Sequence, residues 1–145
     1  MSDQLRVVIA QPGEDARAAE IPSDYRGMID ATIDTVGGFP ARLQLTECLV
    51  AYVNEDGILE GLPWNRQLGP TTYVAGPLLV LGRDAHAWRH RSLTPLEEAD
   101  VLRLLNSSVP RLDHTRGASI SELASWTGER VLWFTPLDHW LGQVA

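Results

Sequence analysis

Residues 53–66, Val-Asn-Glu-Asp-Gly-Ile-Leu-Glu-Gly-Leu-Pro-Trp-Asn-Arg, constrain the fold more than any other stretch. A β-compatible run over 48–53 meets Asn54-Glu55-Asp56-Gly57. Asn at the first position, Asp at the third and Gly at the fourth fit a type I turn closed by a glycine bulge. The pattern predicts a returning strand over 58–60, then a constrained Pro63-Trp64-Asn65-Arg66 loop. A tight turn joins antiparallel strands, because parallel neighbours need a long crossover.

The flanking segments supply the other layers. Residues 5–10 form a short apolar run before Gln11-Pro12-Gly13, as a buried first strand would, and the polar residues 14–22 read as a surface loop. Ser23 can cap a helix in which Tyr25, Met28, Ile29, Thr32, Ile33 and Val36 recur at helical spacing, with Gly37 at the left-handed stop. Residues 41–47 alternate as a half-buried strand does, with Ala41, Leu43 and Leu45 against Arg42, Gln44 and Thr46. Tyr73, Val74 and residues 78–81 add strand material, and the intervening Pro77 argues for an edge position or a bulge. Thr94-Pro95-Leu96-Glu97 is a capping box with proline at the first helical position. Its helix carries Leu96, Ala99, Val101, Leu102 and Leu105 on one face. Residues 107–118 read as a linker or long loop. Ser119-Ile120-Ser121-Glu122 opens a further helix with Leu123, Ala124 and Trp126 on one face, 130–134 a last strand, and 136–141 a short turn.

These elements predict an α+β fold: a small, mostly antiparallel sheet with two main helices packed on it, plus a C-terminal helix-strand extension. Residues 1–106 form the α+β domain, and 107–145 an extension packed on the same domain. A chain of 145 residues buries roughly 68–70% of its unfolded surface, so it needs neither disulfide nor metal to fold. No apolar run reaches the roughly 18 residues of a membrane span, and Met-Ser-Asp-Gln is no signal peptide. The single Cys48 fits a reducing, cytoplasmic setting.

All twelve basic residues are arginine. Without lysine there is no Schiff-base chemistry, lysine general base or Walker A loop. The bias suits a GC-rich, actinobacterial genome or one of its phages. Residues 1–60 hold eleven Asp and Glu against four Arg, a net of −7, whereas 61–145 balance at eight each. That acidity disfavours nonspecific phosphate-backbone binding, so direct nucleic-acid binding is not expected.

Val36-Gly37-Gly38-Phe39, Asn54-Glu55-Asp56-Gly57, Leu62-Pro63-Trp64-Asn65-Arg66 and Ala75-Gly76-Pro77-Leu78 follow one another in order. This succession resembles domain-of-unknown-function family 3846, small α+β proteins encoded mainly by bacteria, plasmids and phages, over about residues 5–106. The family pattern has a V-G-G-aromatic step, an N-E-x-G hairpin, an L-P-x-N-R loop and a strand approached through glycine. Trp64 departs from it, standing where a small or proline-like residue is expected, and 107–145 lie beyond it. The resemblance implies fold and host, and carries no activity.

Turn chemistry accounts for Asn54, Glu55 and Asp56 better than calcium, whose EF-hand ligands spread over twelve residues. Trp64-Asn65-Arg66 offers a stacking face, an amide and a planar donor fork. Either the triplet braces its loop, or it contacts a ligand or partner. Trp64, Asn65 and Arg66, with Asn54 and Glu55, are the candidate binding residues. The run from Arg83 to Arg91 interleaves arginines with His86, Trp88 and His90, and reads as a solvated loop anchored by Trp88 or as a phosphate-facing patch. His86 and His90 have two-ligand helical spacing but no third ligand, so no metal is expected. Residues 119–128 resemble half of a helix-turn-helix unit, yet a strand pattern follows where a recognition helix belongs. No Gly-x-Ser-x-Gly elbow or other positioned nucleophile is present.

The expectation is therefore a non-enzymatic binding protein of a phage or mobile element, without cofactor. It would recognise a host protein or small anionic ligand through the Trp64-Asn65-Arg66 loop, and a homodimer is possible. The alternative is an acidic nucleic-acid mimic that inhibits a host DNA-binding or defence enzyme.

Overall fold

A computed structural model describes residues 3–84 and 89–127. The expected strand over 130–134, the turn over 136–141, and His86, Trp88, Trp133 and Trp140 lie outside the described residues. The elements run β1 (Gln4–Ala10), β2 (Arg17–Pro22), α1 (Tyr25–Val36), β3 (Pro40–Gln44), β4 (Leu49–Asn54), β5 (Trp64–Gly69), β6 (Thr72–Ala75), β7 (Leu78–Asp84), β8 (Arg89–Arg91), α2 (Pro95–Arg103) and α3 (Ile120–Thr127). The fold is α+β, with a mostly antiparallel sheet and three helices.

The main sheet has the order β2-β1-β7-β4-β3, and β8 pairs with β7 at its far end. Every pairing is antiparallel. Strands β1, β4 and β7 are apolar on both faces because both faces are covered. Leu5, Val7, Ile9, Val50, Leu79 and Leu81 pack beneath α1 with its Met28. The alternate residues Val8, Ala10, Ala51, Val53, Leu78 and Val80 meet Leu68 of β5, Val74 of β6 and Val101 of α2. Each large aliphatic side chain in these layers contributes about 1.5–3 kcal/mol of burial free energy.

Local signals set the helix ends. Asp24, one residue after the expected Ser23, caps α1 by accepting from the Gly27 amide at 2.8 Å. Gly37 takes the left-handed conformation, with φ 82°, and its N–H reaches the Ile33 carbonyl. Both halves of the Thr94–Glu97 capping box form. Beyond Arg103 the chain continues as a π turn over Leu104–Ser108. Leu96, expected on the apolar face of α2, is 72% exposed; the side chains that pack against the sheet are Val101, Leu102 and Leu105, from the helix's C-terminal part and the π turn.

Four expectations need correction. Residues 17–22 are strand, not loop, held by main-chain pairing to β1 with Leu5 opposite Ile21. An edge strand with one neighbour needs little intrinsic β propensity. Residues 58–60 form no strand: Glu60 donates to the Asp56 carbonyl and Gly61 to that of Ile58. The chain instead leaves the main sheet, and β5 pairs with β6 in a separate two-stranded sheet. Gly57 closes its turn onto the Asn54 carbonyl at 3.1 Å without left-handed geometry. Glycine is required there because a Cβ would lie 2.5 Å from the Ala75 carbonyl oxygen. Finally, Pro77 does not mark an edge: it lies just before β7, which is central, and so costs the ladder no N–H.

Residues 107–118 run along β5. Gln67 donates to the Pro110 carbonyl at 2.9 Å, Leu112 to that of Asn65 at 3.0 Å, and Ala118 to that of Leu62 at 2.8 Å. Ala118 and Leu123 then join Trp64 and Ala75 in a third small core.

One pH-sensitive tie sits between β8 and α2. Glu97 accepts from both terminal nitrogens of Arg91, at 2.7 and 3.0 Å, and from the Thr94 amide. The Arg91 hydrogen bonds, ahead of the Thr94 amide, hold its carboxyl down at about 2 against a usual 4.5. A depressed folded-state pKa means stability present above pH 4.5 and lost as the pH falls toward 2. Glu97→Gln is expected to flatten the dependence of the urea midpoint on pH across that window. Unchanged acid sensitivity in Glu97→Gln would show that the tie contributes nothing.

Candidate functional site

The Trp64-Asn65-Arg66 triplet is not an exposed loop. It is the start of β5, with Trp64 and Arg66 wholly buried and Asn65 1% exposed. Asn65 donates to the carbonyls of Ala10 and Gly76, both at 2.9 Å, which joins β5 to the end of β1 and to the turn before β7. Arg66 Nε donates to the Leu105 carbonyl at 2.8 Å and Nη2 to the Glu14 carbonyl at 2.7 Å. Its Nη1 reaches Asn65 Oδ1 at 2.7 Å and the Gln11 carbonyl at 3.4 Å. Burial, then repulsion from Arg111, holds this guanidinium below its ordinary pKa, with Asp15 opposing. Four of its five N–H groups are thus spent on protein oxygens. The brace reading describes the geometry; an anion has no route to this fork.

The other candidates divide. Asn54 is buried, accepting from the Asp56 amide at 2.8 Å and donating to the Val36 carbonyl at 3.3 Å. Glu55 is exposed, with its amide bound to the Phe39 carbonyl. Trp64 donates its indole N–H to Glu122, which also pairs with Arg116. Trp126 of α3 covers the ring, with centroids 4.8 Å apart, and contacts Tyr73 at 5.1 Å.

A different set of side chains meets on the α1 face of the main sheet. Arg42 on β3 stands opposite Tyr52 on β4, and Arg83 on β7 stands opposite His90 on β8. The Tyr52 hydroxyl and His90 Nε2 share a 2.6 Å hydrogen bond, with ring centroids 5.7 Å apart. Arg83, itself only 8% exposed, donates to the neutral Gln44 amide oxygen at 2.9 Å, so Arg42 is the exposed arginine of the pair. Burial pushes the His90 imidazole down, and Arg42 and Arg83 push it further. Burial raises the Tyr52 phenol while the same two arginines oppose it. Both groups therefore sit in a positive field, and a bound anion would favour the charged imidazole.

Two signals for this cluster exist in the sequence. The alternation of residues 41–47 puts Arg42 and Gln44 on one polar side, and Arg83 and His90 belong to the basic run. The register that joins them across four strands is not legible locally. Among the described residues, no group of three or more His, Cys, Asp or Glu side chains converges to hold a metal, and no helix is long and apolar enough to cross a membrane.

The comparisons with known proteins fall on the same framework. Residues 5–106 match the family model described as Domain of unknown function (DUF3846), and the chain belongs to that family. No curated protein and no solved structure matches the chain.

Proposed function

We propose that this DUF3846 member is a non-enzymatic binding protein that takes a small anionic ligand on the sheet face built by Arg42, Tyr52, Arg83 and His90. The carrying observation is the Tyr52–His90 pair, bonded at 2.6 Å and bracketed across the strands by two arginines. Guanidinium groups present planar donor forks suited to phosphate or carboxylate. The ligand face thus moves from the wholly buried Arg66 to the face that carries the exposed Arg42. A phage or mobile-element origin rests on the family resemblance and the arginine-only composition.

The acidic-mimic reading gains no observation. Glu47 precedes β4 and Glu55 follows it, while Asp15 pairs with Arg111 and Glu20 lies 4.0 Å from Arg6. Two of the eleven carboxylates in residues 1–60 thus stand beside arginines.

Calorimetric titration with inorganic pyrophosphate tests the proposal. The wild type should bind, and Arg42→Ala, at an exposed position, should weaken binding about tenfold, the typical loss for one charge-assisted hydrogen bond. Absence of binding to the wild type at millimolar pyrophosphate would sink it.

A further inference from the structure

Helix α1 is charged against its own dipole. Helices favour anions near their start and cations near their end. Beyond the Asp24 cap, the first turn of α1 holds no acidic residue and the last turn no basic one. The exposed Asp30 and Asp34 stand instead toward its C-terminal end, four residues apart, where like charges repel. The fold gathers more of the same sign at this end. Asn54 donates to the Val36 carbonyl at 3.3 Å, and the Glu55 amide to the Phe39 carbonyl at 2.8 Å. The end of α1 therefore abuts the turn that carries Glu55, Asp56 and Glu60. All five carboxylates are exposed, and none is in an ion pair among the described residues. Between Arg26 and Arg66 the only cation is Arg42. Apolar side chains are exposed at the same end. Phe39, tied to Glu55 through its main chain, is 77% exposed, Leu59 of the turn 54%, and Ile33 of the last turn of α1 37%. Exposed apolar groups rimmed by charge mark a contact with another protein.

We propose that this end of the fold, centred on Phe39 with Asp34, Glu55 and Asp56 around it, docks a basic segment of a partner protein. An apolar side chain of that segment packs on the Phe39 ring, and flanking arginines or lysines meet the carboxylates and the carbonyl end of α1. Charge complementarity of this kind steers encounter and sets register, while the apolar contact supplies affinity. A cationic partner also relieves the repulsion that α1 carries when free. Local conflict of that sort is expected where a site is kept at the expense of stability. The surface is independent of the Arg42–His90 face, whose ligand is an anion, and stands whether or not that reading holds.

Fluorescence anisotropy with two labelled octapeptides, one alternating arginine with leucine and one alternating arginine with serine, tests this at low ionic strength. The wild type should bind the leucine peptide about tenfold more tightly, the increment of one apolar side chain removed from water. Phe39→Ser, checked for an unchanged circular dichroism spectrum, should abolish that difference and leave the affinity for the serine peptide unaltered. Asp34→Asn combined with Glu55→Gln should weaken both peptides about tenfold. The same double variant should unfold at a higher urea concentration, since these carboxylates serve the partner and not the fold. Equal affinities for the two peptides in the wild type overturn the proposal. So do affinities unchanged by the double variant, a lower urea midpoint in it, or no binding of either peptide.

Discussion

Arg66→Ala is expected to destabilise the protein by about 3–5 kcal/mol, because several acceptors lose their donor at about 1–3 kcal/mol for each one left buried and unsatisfied. The loss has two parts. Removing the guanidinium strips the buried Leu105 carbonyl and Asn65 Oδ1, and the partly buried Glu14 and Gln11 carbonyls, of a shared donor. It also leaves a cavity where β5, the β1–β2 loop and the end of α2 meet. A domain of ordinary stability has only about 5–15 kcal/mol in total, so the variant should unfold at a much lower urea concentration or fail to accumulate folded. Arg66→Lys should recover only part of the loss, since an ammonium cannot span the Leu105 and Glu14 carbonyls as a planar fork does. Equilibrium urea unfolding measures both. A cost for Arg66→Ala under about 1 kcal/mol would mean the fork is not a brace.

Trp64→Ala should cost a similar amount, about 3–5 kcal/mol for a buried aromatic truncated in a core. Its more specific consequence concerns the C-terminal segment. Trp64 carries the contact to Trp126 and the indole bond to Glu122, so its removal takes away much of the surface on which α3 rests. Limited trypsin digestion under native conditions should then cut at Arg111 and Arg116 well before the main sheet is attacked. Trp64→Phe keeps a ring for Trp126 and loses only the Glu122 bond, so it should fall between the two. Cleavage at Arg111 and Arg116 no faster than in the wild type would show that α3 is held by other contacts.

Those two experiments fall on the residues where the sequence was hardest to interpret. Arginine is almost never fully buried unless paired, so an Asn-Arg step after a proline reads naturally as a surface loop. Only the convergence of three carbonyls from two distant segments reverses that expectation. The turn at Asn54–Gly57 was easier. The turn itself is local and forms, though without the left-handed glycine of the expected bulge, and which strand follows is a long-range matter. Residues 58–60 lack a partner edge, because β4 is already flanked by β3 and β7. Strand β2 was missed for the converse reason: its pairing with β1 supplies what its alanine and glutamate content does not. Trp64, the departure from the family pattern, acquires a physical setting once Trp126 is seen lying over it.

Alone, the sequence determined what depends on a few neighbouring residues. That covers the stop of α1, the capping box of α2, the apolar runs of β1, β4 and β7, and the family over residues 5–106. Each follows from backbone preferences or a side-chain period acting within about one turn of helix or one strand. The tertiary structure alone decided which arginines are enclosed and which stand at the surface. Arg66 and Arg42 are chemically the same side chain. One is enclosed by carbonyls from two separate segments, while the other stands on an edge strand across from Tyr52. That difference is made by strand order and register, which no local pattern encodes.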